Sequence, residues 1–175
     1  MRKVYILLLF VLVIVIAGCT NGEGTKQEVD DIQELVHSYS IGQFTEDVSA
    51  SITSHELIVN EDDEEKVYDI SKEDFFVSIA PFKTVTHECA IHSLTGCQGE
   101  LVEDTFHVYI ENMEGKVVID EEMTTLANGF IDLWLPREQT YNVKIKQGNY
   151  IAEGAISTFK NDDTCITTMQ LKDKI

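Results

Sequence analysis

From about Gly99 onward the chain alternates apolar and polar residues almost one for one, which rules out a helical bundle for that half of the molecule. Phe106, Val108 and Ile110 alternate with His107 and Tyr109, and Tyr141, Val143 and Ile145 alternate with Asn142, Lys144 and Lys146. A period of two puts every second side chain on one face of a strand, whereas a helix would scatter the same residues around its circumference. Turn signals punctuate the pattern at Asn112–Gly115, Ala127-Asn128-Gly129 and Gln147-Gly148-Asn149, and Pro136 closes the strand predicted over Phe130–Leu135. Shorter segments read as strands over Lys116–Asp120, Tyr150–Ser157 and Thr164–Leu171, the last placing Cys165, Met169 and Leu171 on one face. Short strands with a turn about every 8–12 residues indicate a small antiparallel sandwich or barrel. Trp134 and its aromatic neighbours read as sandwich core.

The N-terminal half is mixed. Val29, Ile32, Leu35, Val36 and Tyr39 are spaced as one face of a helix over Glu28–Tyr39, with Asp30 and Asp31 in its first turns and Gly42 as a stop. Thr45 is a candidate cap for a second short helix running to Ile52. Leu57–Val59 and Lys66–Ile70 read as strands flanking five acidic residues, Glu61 to Glu65. That run lacks the D-x-D-x-D-G spacing that wraps calcium, so a solvated hairpin tip is expected. Phe75–Ile79 is another strand, ended by Pro81. The expected fold class is α+β: a small α/β N-terminal domain over residues 27–80 and a C-terminal antiparallel β-sandwich over 81–175.

Before these lies MRKVYILLLFVLVIVIAGCT. Arg2 and Lys3 precede an unbroken apolar run, Val4–Ala17, of signal-peptide length and shorter than the roughly 20 residues a helix needs to span a bilayer. Ile16-Ala17-Gly18-Cys19 resembles a bacterial lipobox. The resemblance implies a signal peptide over residues 1–18, lipidation of Cys19 and cleavage before it, with an uncleaved membrane anchor as the other reading. Both place the rest of the chain outside the cytoplasm. Residues 20–26, polar and holding two glycines, read as a tether. The full chain carries a formal charge of −18; removing Arg2 and Lys3 leaves 11 basic against 31 acidic residues, a net −20. Such a surface disfavours nucleic acid and anionic headgroups as partners and attracts cations.

The densest chemistry lies in HECAIHSLTGC, residues 87–97. With Cys19 assigned to the lipobox, Cys89, Cys97 and Cys165 remain, an odd number that cannot pair fully within one chain. A Cys89–Cys97 disulfide would close a nine-residue loop, which chain entropy values at about 2.6 kcal/mol, but it leaves Cys165 unexplained. Three thiolates are a soft donor set suited to Cu(I) or Zn(II) rather than Mg(II) or Ca(II). Cu(I) accepts three sulfurs alone; structural Zn(II) requires a fourth donor, for which His92 or His87 is available. Ionising three thiols at pH 7 costs roughly 6 kcal/mol. Structural zinc sites release about 10–16 kcal/mol with that cost already included. His92, between the two near cysteines, is the best accessory donor and suits Cu(II), the other reading being a surface-loop histidine. His87 shares strand parity with Cys89. Met169 is expected to be core, and His37, His55 and His107 show no clustering. The chain shows no phosphate-binding glycine loop and no GxSxG.

THECAIHSLTGCQGEL, TTLANGFIDLWLPR and TFKNDDTCITTMQL together resemble the CueP family of extracytoplasmic copper-binding proteins, over about residue 30 to Leu171. The resemblance implies an N-terminal α/β domain, a C-terminal β-sandwich, a homodimer, and copper held by three cysteines that match Cys89, Cys97 and Cys165. It further implies holding copper, assisting Cu(II) reduction and passing Cu(I) onward, including to an exported copper–zinc superoxide dismutase. The lipid anchor departs from the soluble periplasmic members and puts that delivery role in question. Two other classes stay open. A thiol–disulfide protein would use Cys89 and Cys97, although their spacing is unlike C-x-x-C. A metal-free adhesion or binding module would survive loss of all three cysteines.

Overall fold

The structure, a computed structural model, describes residues 31–174. The expected signal peptide, Cys19 and the tether lie outside the described residues. No helix among the described residues is long and apolar enough to cross a membrane.

Helix α1 (Ile32–Ser40) begins at Asp31, whose carboxylate accepts the Glu34 N–H at 3.0 Å and so satisfies one of the first turn's free donors. It ends before Gly42, which takes a left-handed φ of +79°. The second helix expected up to Ile52 is instead strand β1 (Ser49–Ile52). Its SASI sequence has little propensity of its own. Ala50 and Ile52 are buried by antiparallel pairing with β2 (Glu56–Glu61), and that tertiary pairing decides the conformation. β2 continues into β3 (Glu64–Asp69) through Asp62 and Asp63, with φ of 53° and 61°. Two successive left-handed residues match the twist of a two-residue hairpin, so the acidic run is a solvated tip.

The remaining strands are β4 (Phe75–Ile79), β5 (His92–Ser93), β6 (Thr105–Asn112), β7 (Val117–Thr124), β8 (Ile131–Leu135), β9 (Thr140–Gln147), β10 (Tyr150–Ser157), β11 (Cys165–Ile166) and β12 (Lys172–Asp173). They form sheets in the orders β3-β2-β1-β5, β12-β10-β9-β6-β7 and β11-β4-β8. The chain is therefore mostly β with one helix among the described residues. Pairing is antiparallel except between β11 and β4.

The three-stranded sheet is the middle layer. One face of β4 and β8 (Phe75, Val77, Ile79, Ile131, Leu133, Leu135) packs against the five-stranded sheet through Phe106, Val108, Tyr141 and Ile145. Burying such side chains contributes about 1.5–3 kcal/mol each. The opposite face presents Phe76 and Trp134 to a second core made by α1 and the four-stranded sheet. Trp134, expected in the sandwich core, thus packs on the outer side of β8, edge-on to Phe76 at 5.3 Å between centroids. Because β4 is covered on both sides it reads as the run FFVSI, apolar but for Ser78, whose hydroxyl donates to Asp132, rather than as an alternation. Arg137 ties the layers together: Nη1 donates to Ser54 O (2.7 Å), Nη2 to Ile70 O (2.9 Å) and Nε to Glu73 O (2.5 Å).

The single strand expected over Thr164–Leu171 is split. β11 runs parallel to β4, after which the chain crosses to the other sheet's edge as β12, antiparallel to β10. The crossing is held by Phe82 N to Met169 O (3.1 Å) and Leu171 N to Phe82 O (2.7 Å). Met169 and Leu171 consequently enter the large core, while Cys165 joins a separate small cluster with Ala80, Cys97 and Phe130.

Candidate metal centre

That small cluster sits where the middle sheet meets the segment 82–97. Three contacts aim this segment. Phe82 bridges Gln170, the Thr86 hydroxyl donates to Thr167 O at 2.9 Å, and the Glu100 carboxylate accepts from the Lys83 N–H, the Thr84 N–H and the Thr84 hydroxyl. Further on, Ala90 O accepts from both Thr164 N (2.9 Å) and Cys165 N (3.2 Å). β5 then adds to β1, and Cys97 N closes a turn onto Ser93 O at 3.0 Å.

These constraints bring together one donor atom each from His87, Cys89, Cys97 and Cys165, all within 4.8 Å of one another. The Cys89 and Cys97 sulfurs are 3.6 Å apart. Tetrahedral metal–sulfur bonds of ~2.3 Å would set the donors ~3.8 Å apart, and a trigonal arrangement ~4.0 Å. The donor set therefore fits a single soft ion after a contraction of at most about 1 Å. Burial grades across the site: Cys165 is 2% and Cys97 9% exposed, Cys89 is half-buried, and His87 faces solvent. Beside His87 opens a cleft of about 610 Å³, lined in part by Phe82, Thr86, Glu88, Thr167 and Lys172.

The protons in this cluster are shared unequally. The Cys165 S–H hydrogen-bonded to Cys97, aided by His92, His87 and the Ser93 backbone, holds the Cys97 thiol down to about 3 against burial. Cys165 is pushed far up, first as the hydrogen-bond donor to Cys97 and then by burial. Burial raises Cys89, whose sulfur lies 3.2 Å from Ile91 O. Of the three, Cys97 is the sulfur that gives up its proton most readily.

His92, expected to be the accessory donor, lies outside the four-residue group. It is fully buried, with its ring 4.6 Å from Phe130 and 6.1 Å from Phe76, and neither nitrogen has a hydrogen-bond partner of good geometry. It walls Cys97 from inside the fold, while His87 reaches the sulfurs from the solvent side. His92 lies in β5, paired with Ile52 of β1, and its ring is buried against Phe130 and Phe76, whereas His87 sits on the irregular, exposed segment before it and joins the sulfur group together with Cys89. Of the other histidines, His107 pairs with Asp120 at 3.0 Å on the five-stranded sheet and His55 contacts Ser54, both away from the sulfurs.

Glu100 was not singled out by the sequence, yet it anchors the start of the donor segment. Its hydrogen bonds from the Thr84 hydroxyl, then from the Thr84 and Lys83 N–H groups, lower its carboxyl to about 2, from an ordinary 4.5. A depressed folded value stabilises the fold above the ordinary pKa, and that contribution is lost as pH falls from about 4.5 to about 2. We expect the wild-type melting temperature to fall more steeply across this window than that of Glu100→Gln, which has no carboxylate to protonate. Parallel melting curves for the two proteins would refute this.

A model of the family described as periplasmic copper-binding protein CueP matches residues 30–170. The crystal structure of S.CueP superposes with a TM-score of 0.77 at 32% identity, covering 82% of this chain and 89% of that one. A comparison with curated proteins found no match. A family match over most of the chain, a shared fold at this identity, and a soft three-sulfur cluster agree, and the chain belongs to the CueP family of periplasmic copper-binding proteins.

Proposed function

We propose that this protein is an extracytoplasmic, lipid-anchored copper-binding protein that holds Cu(I) through Cys89, Cys97 and Cys165. The observation that carries this reading is the convergence of three sulfurs and one imidazole within 4.8 Å. Sulfur-rich, low-coordinate sites favour Cu(I), and a set with a single histidine is a weaker match to Cu(II). His87 is the fourth donor available at the mouth, which also lets the site take Zn(II) as a weaker alternative. Anchoring through Cys19 rests on the lipobox resemblance alone.

The 3.6 Å sulfur pair also supports electron transfer to copper. Oxidation of the Cys89 and Cys97 side chains to a disulfide yields two electrons, enough to reduce two Cu(II) to two Cu(I), and releases the thiol protons. The graded burial fits capture at the solvent side and retention at Cys165. Val85 and Ile91 lie close in sequence to His87 and Cys89 and are 66% and 55% exposed, apolar surface suited to an acceptor protein. An exported superoxide dismutase as that acceptor, and a homodimer, follow from the family resemblance.

Protein purified under reducing conditions and loaded anaerobically with Cu(I) should hold one copper per chain, with a copper-edge absorption spectrum dominated by three sulfur neighbours. A shell of nitrogen and oxygen donors alone would overturn the reading.

A further inference from the structure

The sulfurs come from two segments far apart in sequence, so something must fix one against the other. We infer that Thr164 is the positioning residue that sets Cys165 in register with Cys89 and Cys97; the inference rests on the copper-site reading above. Thr164 is 1% exposed. Its hydroxyl donates to Ile52 O at 2.6 Å and accepts from His92 N at 3.0 Å. Its backbone N–H donates to Ala90 O (2.9 Å), and its carbonyl accepts from Ser78 N (2.8 Å). One residue is thereby joined to β1, to the donor segment on both sides of Ile91, and to β4, immediately before the Cys165 ligand.

A hydroxyl suits this position because it gives one hydrogen bond and accepts others through the same atom. At 1% exposure no water competes for either partner. Without it, the His92 N–H and the Ile52 carbonyl lose their bonds to this hydroxyl, and the segment carrying Cys97 is free to shift against β11. Thr164 touches no metal donor atom in this scheme; it acts through the backbone of residues that carry them.

The test compares Thr164→Val, which keeps the shape and loses the hydroxyl, with Thr164→Ser, which keeps the hydroxyl. Thr164→Ala serves as a second hydroxyl-free variant should valine fail to fold, and melting temperature reports folding for each. Cu(I) affinity is read by competition with a chromogenic chelator, and sulfur neighbours are counted at the copper edge. We expect Thr164→Val and Thr164→Ala to weaken Cu(I) binding by about 10–100-fold, the usual effect of losing an outer-shell partner. The sulfur count should fall from three toward two, and serine should restore both. Wild-type affinity and three sulfurs in a folded hydroxyl-free variant overturn the inference, as does a serine variant as impaired as valine. Cys165→Ser separates the two levels: if it too leaves Cu(I) binding unchanged, the thiolate reading fails and takes this inference with it.

Discussion

Cys165→Ser should weaken Cu(I) binding by about a hundred- to a thousand-fold, the largest loss expected from any single donor substitution. Structural sites of four ligands release about 10–16 kcal/mol, so one thiolate accounts for about 2.5–4 kcal/mol. A serine hydroxyl is a poor donor to a soft ion and does not ionise near neutral pH. Cys165 is also the least exposed of the three cysteines, so water does not reach its place, and the neighbouring His87 offers a nitrogen in place of a soft sulfur. Cys89→Ser should cost less, because Cys89 lies on the solvent side, where an external thiol can complete the set. Chelator competition on the reduced proteins measures both. Equal affinities for Cys165→Ser and wild type would remove Cys165 from the site.

The protonation pattern gives this arrangement a chemical logic. Metal binding needs thiolates, and each proton displaced at neutral pH costs free energy. Here the Cys97 thiol is pulled down, first by its interaction with Cys165, so its proton is the easiest of the three to displace. An arriving cation therefore meets its lowest proton-displacement cost at Cys97. The strongly acidic chain adds a long-range attraction for cations over the same approach.

Much of this was legible in the sequence. Long strands such as β6 and β9 alternate because one face is core and the other solvent, and that contrast is written residue by residue. Reading Cys19 as the lipobox cysteine left three others, and that odd number pointed to a three-sulfur group for a reason independent of fold: one of three thiols has no partner within the chain. Other features lacked a local signal. SASI in β1 is strand only because β2 and β5 flank it. The split between β11 and β12 follows from Phe82 threading its backbone bonds to Met169 and Leu171, a contact between distant segments. His87 joins the sulfurs from the solvent side on an irregular segment that is aimed by Glu100 and Thr167, again from elsewhere in the chain.

Gly129→Ala should be the most damaging glycine substitution to the fold, and it should disable the copper site with it. Gly129 has φ of +80°, and a Cβ there would lie 2.8 Å from the Gly99 Cα, carbonyl carbon and oxygen. From the other side, a Cβ on Gly99 would lie 2.5 Å from Gly129 O. These are backbone atoms with no rotamer by which to retreat. The left-handed conformation costs a side chain about 1–2 kcal/mol, and overpacking adds about 1–3 kcal/mol. A loss of about 3 kcal/mol lowers the melting temperature of a domain this size by about 10 °C. Gly115→Ala is the control, since its φ is +82° with nothing within 4 Å of the added carbon, so it isolates the conformational cost. The crossing matters to the site because Cys97 comes two residues before Gly99 and Phe130 directly follows Gly129, and both side chains belong to the cluster around Cys165. Prying the two backbones apart moves the Cys97 sulfur away from Cys165. Gly129→Ala should therefore lose Cu(I) affinity even at temperatures where it stays folded, while Gly115→Ala keeps it. Equal melting temperatures for the two variants would show that the close approach contributes nothing.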